Sequence, residues 1–322
     1  MLCILNINPD PYFNIACEDY LFNELKEDCF MLYRNENAVI VGKHQNTLAE
    51  INYKYVKENN IKVVRRLSGG GTVYHDLGNL NFAFIQKNQS PNLVDFKRHL
   101  KPIVDVLAKM GLSVEIGKKN DLIIDGKKIS GNAEHVYKDK VLHHGTLLFS
   151  SDLIKLSQAI KVTPNKYEDK AVKSIRSKVV NIKEFLLVPM DILRFAQLVM
   201  EHILANHPEN RLYQLSDDDI QRIQAIADAK YANWEWNYAY SPPYRFYNQQ
   251  IVEKDNYEIE MNIDNGLIKK IKFSASYINQ EVITEIEDIL EECKHKEQAI
   301  RTRLEKNKMN NNLIDAIISI MF

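Results

Sequence analysis

The spacing of apolar residues predicts several amphipathic helices. Apolar side chains recur every three to four residues over 13–26, and residues at that spacing share one face of a helix. The same spacing from Leu93 to Leu107 predicts a helix that ends at Gly111 and is kinked at Pro102. Shorter apolar stripes predict further helices over 53–58, 153–160, 193–204 and 220–231.

Alternating and β-rich runs predict strands, several of them joined as hairpins. Asp125-Gly126 separates two strand-like runs, and this dipeptide is typical of a two-residue hairpin turn. A second hairpin is predicted to pair residues 129–137 with 141–149. Adjacent hairpins are antiparallel, so we expect an α+β fold, with a largely antiparallel sheet and flanking helices. Other strands are predicted at 30–33, 38–42, 61–64 and 81–85.

The strongest break in the chain is Pro242-Pro243, and it places a domain boundary within 241–248. After the break, two alternating runs joined by an Asn-Gly turn precede two helical stripes. The sequence therefore predicts two domains, residues 1–245 and residues 246–322, of which the second is a small α+β domain.

Composition narrows the class of protein. Apolar residues make up 45% of the 322 and charged residues 26%, the mix of an ordinary globular protein. The 42 basic and 43 acidic residues give a net charge of -1, so no basic excess points to nucleic acid or to anionic lipid. The four cysteines form no C-x-x-C pair, and we find neither a secretory leader nor an apolar run of about 18 residues. We expect a cytoplasmic protein with no nucleic-acid or membrane partner.

Glycine is concentrated where chemistry is expected. Ten of the eleven glycines precede residue 146. Three of them follow Arg65 and Arg66 in the segment Arg65–Asp76, which reads RRLSGGGTVYHD. Successive glycines let backbone N–H groups face one anion, and arginine supplies a permanent charge for phosphate or carboxylate. The segment is neither a Walker loop nor a G-x-G-x-x-G helix start, because neither pattern continues in the residues that follow.

A second element is the run Asn120–Ala133, in which Lys128 and Ser130 share one face of a predicted strand. A lysine beside Ser-Gly would direct a cation at a phosphate or a carboxylate. Taken by itself, the pattern favours an exposed charge on a hairpin, because most lysines are solvated.

The third element is the pair His143-His144. Neighbouring residues on a strand point to opposite faces, so these two rings cannot bind one metal ion together. No H-x-x-x-H spacing or cysteine partner supports a structural zinc site. No serine lies in a nucleophile-elbow pattern, and Cys17 lies on the apolar stripe of the first helix, as a core residue would.

Together these segments resemble the lipoate–protein ligase family. The matching pieces occur in the family's order between about residue 30 and residue 240, which makes the resemblance far more specific than any one motif. They are Val39–Asn46, Arg65–Asp76, Lys128–Ala133, His143–Leu148, Lys173–Ser177 and Trp234–Trp236.

The resemblance implies a reaction in two steps. Lipoate and ATP, with Mg²⁺, would give lipoyl-AMP and pyrophosphate, and the lipoyl group would then pass to a lysine of a lipoyl-accepting domain. The implied acceptors are the 2-oxoacid dehydrogenase complexes and the glycine cleavage H protein. The implied fold is the biotin/lipoate ligase sheet. Residues 1–245 would be catalytic, residues 246–322 accessory, and the protein a monomer.

The resemblance also assigns residues by position. Lys128 would be catalytic, bridging acyl and phosphate oxygens, and ATP would be bound by Arg66, Gly71, Thr72, Val73, Tyr74 and Lys128. The lipoate pocket would include Ser68, Gly69, Gly70, His75, Phe82, Ser130, Gly131 and His144, with Val73 and Phe84 as further candidates for its apolar slot. Asn120 and Asp121 would contact the metal ion.

Three other functions stay open from the sequence. One is an acyltransferase of the same fold that needs no ATP, either through a cysteine, of which none lies between residues 30 and 292, or from preformed lipoyl-AMP. Another is a biotin ligase, although the Gly-rich segment departs from the basic loop usual there. The last is a protein that only binds lipoate or a nucleotide.

Overall fold

The computed structural model describes residues 1–87, 94–160, 164–252 and 255–322. Leu93, predicted to begin the second helical stripe, lies outside the described residues. The strands are β1 Leu2–Asn6, β2 Cys29–Tyr33, β3 Ala38–Val41, β4 Lys62–Arg65, β5 Val73–His75, β6 Asn79–Lys87, β7 Glu115–Ile116, β8 Leu122–Ile124, β9 Lys127–Ser130, β10 Asn132–Tyr137, β11 Lys140–Leu148, β12 Tyr167–Asp169, β13 Arg211–Leu212, β14 Tyr244–Val252, β15 Asp255–Asp264 and β16 Leu267–Ala275. The α-helices are α1 Pro11–Asn23, α2 Thr47–Glu50, α3 Tyr53–Glu58, α4 Phe96–Lys109, α5 Leu153–Ala159, α6 Ile192–Ala205, α7 Asp217–Ile226, α8 Gln280–Leu290, α9 Glu297–Lys306 and α10 Asn311–Met321.

The chain divides into two compact units. The first consists of residues 1–43, 60–160 and 174–233. The second consists of residues 44–59, 234–322 and the described part of 161–173. The division of function at residues 245/246 stays a prediction.

The first unit is built on a six-stranded sheet in the order β10-β11-β6-β2-β1-β13. The pairs β10/β11, β11/β6 and β6/β2 are antiparallel, whereas β1 adds parallel pairs with β2 and β13. Two three-stranded sheets, β4-β3-β5 and β7-β8-β9, complete the unit. Antiparallel pairing with flanking helices prevails, as the hairpins predicted. The strands on either side of Asn35 lie in different sheets, because β2 pairs with β6 and β3 pairs with β5.

Both predicted hairpins are confirmed. Asp125 and Gly126 have φ of 49° and 71°, the left-handed pair that a tight hairpin turn requires, and they join β8 to β9. The second hairpin pairs β10 with β11, and the helix predicted over 13–26 is α1. The helix predicted over 220–231 is α7, which begins at a capping box on Ser216 and continues as a π-helical turn over Ala227–Tyr231.

The two faces of the six-stranded sheet have different neighbours. Antiparallel partners point to the same face, so His144 and Ala83 share one side, while His143 and Phe84 share the other. The side of His144 meets α1, and we call it the α1 face. The side of His143 carries the core formed with α4 and α6, and we call it the α4 face.

The second unit has a four-stranded antiparallel sheet in the order β12-β14-β15-β16. The turn Asn265-Gly266, with φ of 50° and 72°, joins β15 to β16 as predicted. Alternate residues of these strands pack against α8, α9 and α10 in a separate core. No helix of the described residues is both long and apolar enough to cross a bilayer.

Candidate active site

The Gly-rich loop connects β4 to β5 and is organised from inside by Arg66. The buried guanidinium donates from Nε to Ser68 Oγ, from Nη1 to the Ile40 carbonyl, and from Nη2 to the carbonyls of Gly69 and Gly71. Burial lowers the pKa of Arg66 to about 10, against the opposing effect of the Glu18 carboxylate, so the group stays cationic at neutral pH. The loop is thus wrapped around a fixed positive charge.

Two of the loop glycines are tightly packed against side chains of the site. Gly70 has φ of +90°, and a Cβ there would lie 3.1 Å from Arg66 Nη2. At Gly71 a Cβ would lie 3.2 Å from Ser174 Oγ, which accepts the Thr72 N–H at 2.8 Å. Ser174 therefore holds the end of the loop where β5 begins.

Lys128 lies on β9, and the same segment that carries Ser174 holds its backbone. The Lys128 N–H donates to the Lys178 carbonyl at 2.8 Å, and the Val180 N–H donates to the Lys128 carbonyl at 3.0 Å. Burial lowers the pKa of Lys128, Asp121 opposes that shift, and the charges of Lys119 and Arg66 add to it. Residues 174–180 therefore connect the glycine loop to the strand of the lysine.

A hydrogen-bonded chain runs from α1 across the face of the sheet to the loop. Glu18 accepts from Tyr33 Oη at 2.9 Å and from His144 Nδ1 at 2.7 Å. The His144 Nε2 then accepts from Ser68 Oγ, which itself accepts from Arg66 Nε. The buried carboxylate fixes the orientation of the His144 ring on the α1 face.

His75 lies close to the same groups. Asn35 accepts from Asn14 at its Oδ1 and presents its amide NH₂ to His75 Nδ1 at 3.0 Å, which places the ring proton on Nε2. That Nε2 is buried and has no hydrogen-bond partner among the described residues. Burial, followed by the charges of Arg66 and His144, lowers the pKa of His75 to about 3. The ring is a neutral donor suited to a bound ligand.

The structure brings most of the predicted site residues together, with clear exceptions. Phe82 and Phe84 point to the α4 face and are buried in its core, opposite His144, because neighbours on β6 alternate sides. They do not line a pocket with Ser68 and His144, and this part of the expectation is wrong. Arg65 donates to the Gly42 and Lys43 carbonyls and so supports the turn after β3.

Other predicted residues contribute backbone or support. Tyr74 is buried and its hydroxyl donates to Asn37 Oδ1, on the side of β5 opposite to Val73 and His75. Ser130 is buried and its hydroxyl is bonded to the Asn132 side chain.

Asn120 and Asp121 lie in the turn before β8. Asn120 has φ of 59°, and the carboxylate of Asp121 fits because residue 117 is glycine: a Cβ there would overlap Asp121 Oδ1. Both side chains are half-buried, and Asp121 influences the pKa of Lys128. Carboxylate and amide oxygens such as theirs are the ligand type that Mg²⁺ prefers.

Three supporting residues were not found from the sequence. Glu18 and Asn35 are buried polar residues, 1% and 0% exposed, in segments where the pattern gave only a helix and a turn. Ser174 lies in a basic loop of no regular structure. The one sequence signal for any of them was the Glu18 carboxylate, which lies among the apolar residues of α1. A buried charge requires partners, so this residue could have been singled out.

The sequence matches two models of known protein families. Family models match the lipoyl protein ligase A/B catalytic domain over residues 10–204 and the bacterial lipoate protein ligase C-terminus over residues 241–320. Lipoate-protein ligase LplJ of Bacillus subtilis is 40% identical over 292 residues, which cover 88% of this chain and 87% of that protein.

Solved structures agree in fold. A putative lipoate protein ligase from Thermoplasma acidophilum with bound lipoic acid has a TM-score of 0.64 at 25% identity and covers 73% of this chain and 98% of its own. Lipoate-protein ligase A bound with ATP has a TM-score of 0.63 at 25% identity and covers 73% of this chain and 97% of its own.

The chain belongs to the lipoate–protein ligase family. The expected family, the α+β fold and the enzyme class, a ligase, are confirmed.

Proposed function

We propose that this enzyme activates lipoate with ATP and ligates it to protein. The lipoate carboxylate attacks the α-phosphorus, the bond to the β-phosphate breaks, and pyrophosphate leaves. The amine of an acceptor lysine then attacks the acyl carbon and AMP leaves. The observation that carries the proposal is the grouping of Arg66, the glycine loop and Lys128, tied together by residues 174–180.

The glycine loop with Arg66 and the Lys128 ammonium each have a role in the first step. The backbone from Gly71 to Tyr74 would cradle the phosphates, with Arg66 fixed beneath it. Lys128 would bridge the carboxylate and the α-phosphate, where two anions must approach. A preorganised cation in a partly buried site stabilises such charge far better than one in water. No proton needs to move through Lys128.

Lipoate would lie on the α1 face. Ser68, Gly69, Gly70, His75, Gly131 and His144 remain the candidate pocket residues, and the orphan Nε2 of His75 supplies a donor for the substrate. Ala133 shares this face with His144 and lies 3.8 Å from the position a Cβ on Gly70 would occupy, so it is a small apolar contact for the chain of lipoate. Phe82 has no part in this pocket. Mg²⁺ would enter with ATP, with Asp121 and Asn120 as protein contacts.

The acceptors we propose are lipoyl domains of 2-oxoacid dehydrogenase complexes and the glycine cleavage H protein. We propose residues 1–245 as the catalytic part, residues 246–322 as the accessory part, and a cytoplasmic monomer. A thiol-dependent transferase is disfavoured because Cys3, Cys17, Cys29 and Cys293 are all buried, and burial raises the pKa of each thiol.

The test uses the full chain in two separate assays. Pyrophosphate release is measured with lipoate and MgATP, and transfer to an unmodified lipoyl domain is measured by intact mass with and without preformed lipoyl-AMP. A ligase should release pyrophosphate from lipoate and MgATP, and it should also modify the lipoyl domain when lipoyl-AMP is not added. Transfer from lipoyl-AMP without pyrophosphate release would instead establish a transferase, and tight lipoate binding with neither activity would establish a binding protein.

A further inference from the structure

A second cluster of titratable side chains lies on the α4 face, opposite the proposed lipoate pocket. Glu134 on β10 and His143 on β11 are direct cross-strand partners, and His99 reaches them from α4. Glu134 Oε1 lies 2.8 Å from His143 Nδ1 and 3.2 Å from His99 Nδ1. The two imidazole rings are stacked at 4.9 Å between centroids.

These groups are removed from solvent. The side chains of His99, Glu134 and His143 are 6%, 3% and 0% exposed. Aromatic rings surround them: Phe82 and Phe96 contact His143, and Phe84 contacts His99. Such a setting penalises any charge or polar atom that is not matched.

The cluster leaves polar atoms unmatched. Glu134 Oε2 and His143 Nε2 are buried and have no hydrogen-bond partner among the described residues. In addition, the single proton on His99 Nδ1 faces two acceptors, Glu134 Oε1 and the Asp95 carbonyl at 3.0 Å. Buried carboxylates and imidazoles in native proteins normally have partners, so the polar atoms of this cluster are incompletely satisfied by protein groups alone.

The donor set is that of a transition-metal site. We propose that His99, Glu134 and His143 bind one divalent first-row transition-metal ion, with zinc the best match. One ligand atom from each residue lies within 4.8 Å of the other two. Ligands at about 2.1 Å from a metal are roughly 3.0–3.4 Å apart, so the separations of 2.8 and 3.2 Å need only small adjustments.

The chemistry separates this ion from magnesium. Two imidazole nitrogens with one carboxylate suit zinc or cobalt, whereas Mg²⁺ and Ca²⁺ prefer oxygen. The Asp95 carbonyl oxygen lies 3.0 Å from His99 Nδ1 and is a further oxygen beside the cluster.

A bound ion would join α4 to the β10–β11 hairpin. That hairpin carries Ala133 and His144 on its other face, so the ion would brace the strands from behind the proposed pocket. The role is structural, because the cluster is enclosed by aromatic rings and by the sheet. This structural role involves no step of the ligase reaction, so it does not depend on the proposed function.

The test is Co²⁺ and Zn²⁺ binding by the full chain, without ATP, lipoate or magnesium. The chain is stripped with a chelator and titrated with Co²⁺, whose visible d–d bands report its ligands, and stoichiometry is read by native mass spectrometry. Zn²⁺ should displace Co²⁺ and raise the melting temperature. We expect one ion per chain and at least about 100-fold weaker binding in Glu134→Gln and His99→Gln.

His135→Gln is the matched control, because His135 neighbours Glu134 on β10 but contacts the Phe22 ring on the other side of the sheet. It should bind Co²⁺ as the wild type does. Failure of the wild type to bind Co²⁺ overturns the proposal, and this holds even if a variant does not fold. Equal binding by wild type and both cluster variants also overturns it, and would leave the three residues as a hydrogen-bonded group that holds only water.

Discussion

Gly131→Ala tests whether the Lys128 ammonium is held where the structure places it. A Cβ at residue 131 would lie 3.1 Å from both Lys128 Cε and Nζ. Ordinary contacts between such atoms are about 3.5–4.0 Å, so the lysine must shift by roughly 0.4–0.9 Å. Because a misplacement of about 1 Å can cost about 10²-fold in rate, we expect adenylate formation to fall about tenfold.

The measurement is a double-mutant cycle on pyrophosphate release. Lys128→Ala should lower the rate at least about 10²-fold, or about 2.7 kcal/mol at 1.36 kcal/mol for each factor of ten. Gly131→Ala should then add almost nothing, because the group that it displaces is gone.

Two results would refute this reasoning. One is full activity of Gly131→Ala in the wild-type background, which would mean that the position of the ammonium does not matter. The other is the same tenfold loss in the Lys128→Ala background, which would mean that the alanine acts on the backbone or on bound lipoate and not through the ammonium. Melting temperatures serve as the control, since φ of Gly131 is not in the left-handed region and little change in stability is expected.

Three further predictions concern the same unit. Lys128→Arg should stay at least about tenfold below the wild-type rate of adenylate formation, since a planar fork does not replace a point charge; recovery to the wild-type rate would contradict this. Ser174→Ala removes the acceptor for the Thr72 N–H, worth about 1 kcal/mol, and should raise the KM for ATP about fivefold, whereas exposed Ser177→Ala should not; equal KM values would reject the role. The unfolded chain protonates His75 near pH 6.5 but the folded chain only near 3, so unfolding free energy should fall as pH drops through that window, and chemical denaturation of His75→Gln should show a shallower fall than wild type.

Some of this protein follows from local patterns. Asp125-Gly126 and Asn265-Gly266 specify their hairpins, because only certain residues adopt left-handed backbone without strain. Apolar periodicity located α4 and α6 because burial of one helix face is a local property of spacing. The helix α1 was also located, but it is buried on nearly every side and is not amphipathic as predicted. The alternation of side chains along a strand also predicted that His143 and His144 point to opposite faces, and the structure confirms this.

The sequence by itself determined the chemical groups near the Gly-rich loop and the family to which they belong. Only tertiary structure decided which side of the sheet each side chain faces, and that excluded Phe82 from the pocket. It also decided the partners: Glu18 with His144, Ser174 with Thr72, and the cluster on the α4 face. Such contacts join residues that are far apart in sequence, and no local spacing encodes them. Strand pairing and helix packing bring them together, and the cost of burying polar atoms then fixes how they pair.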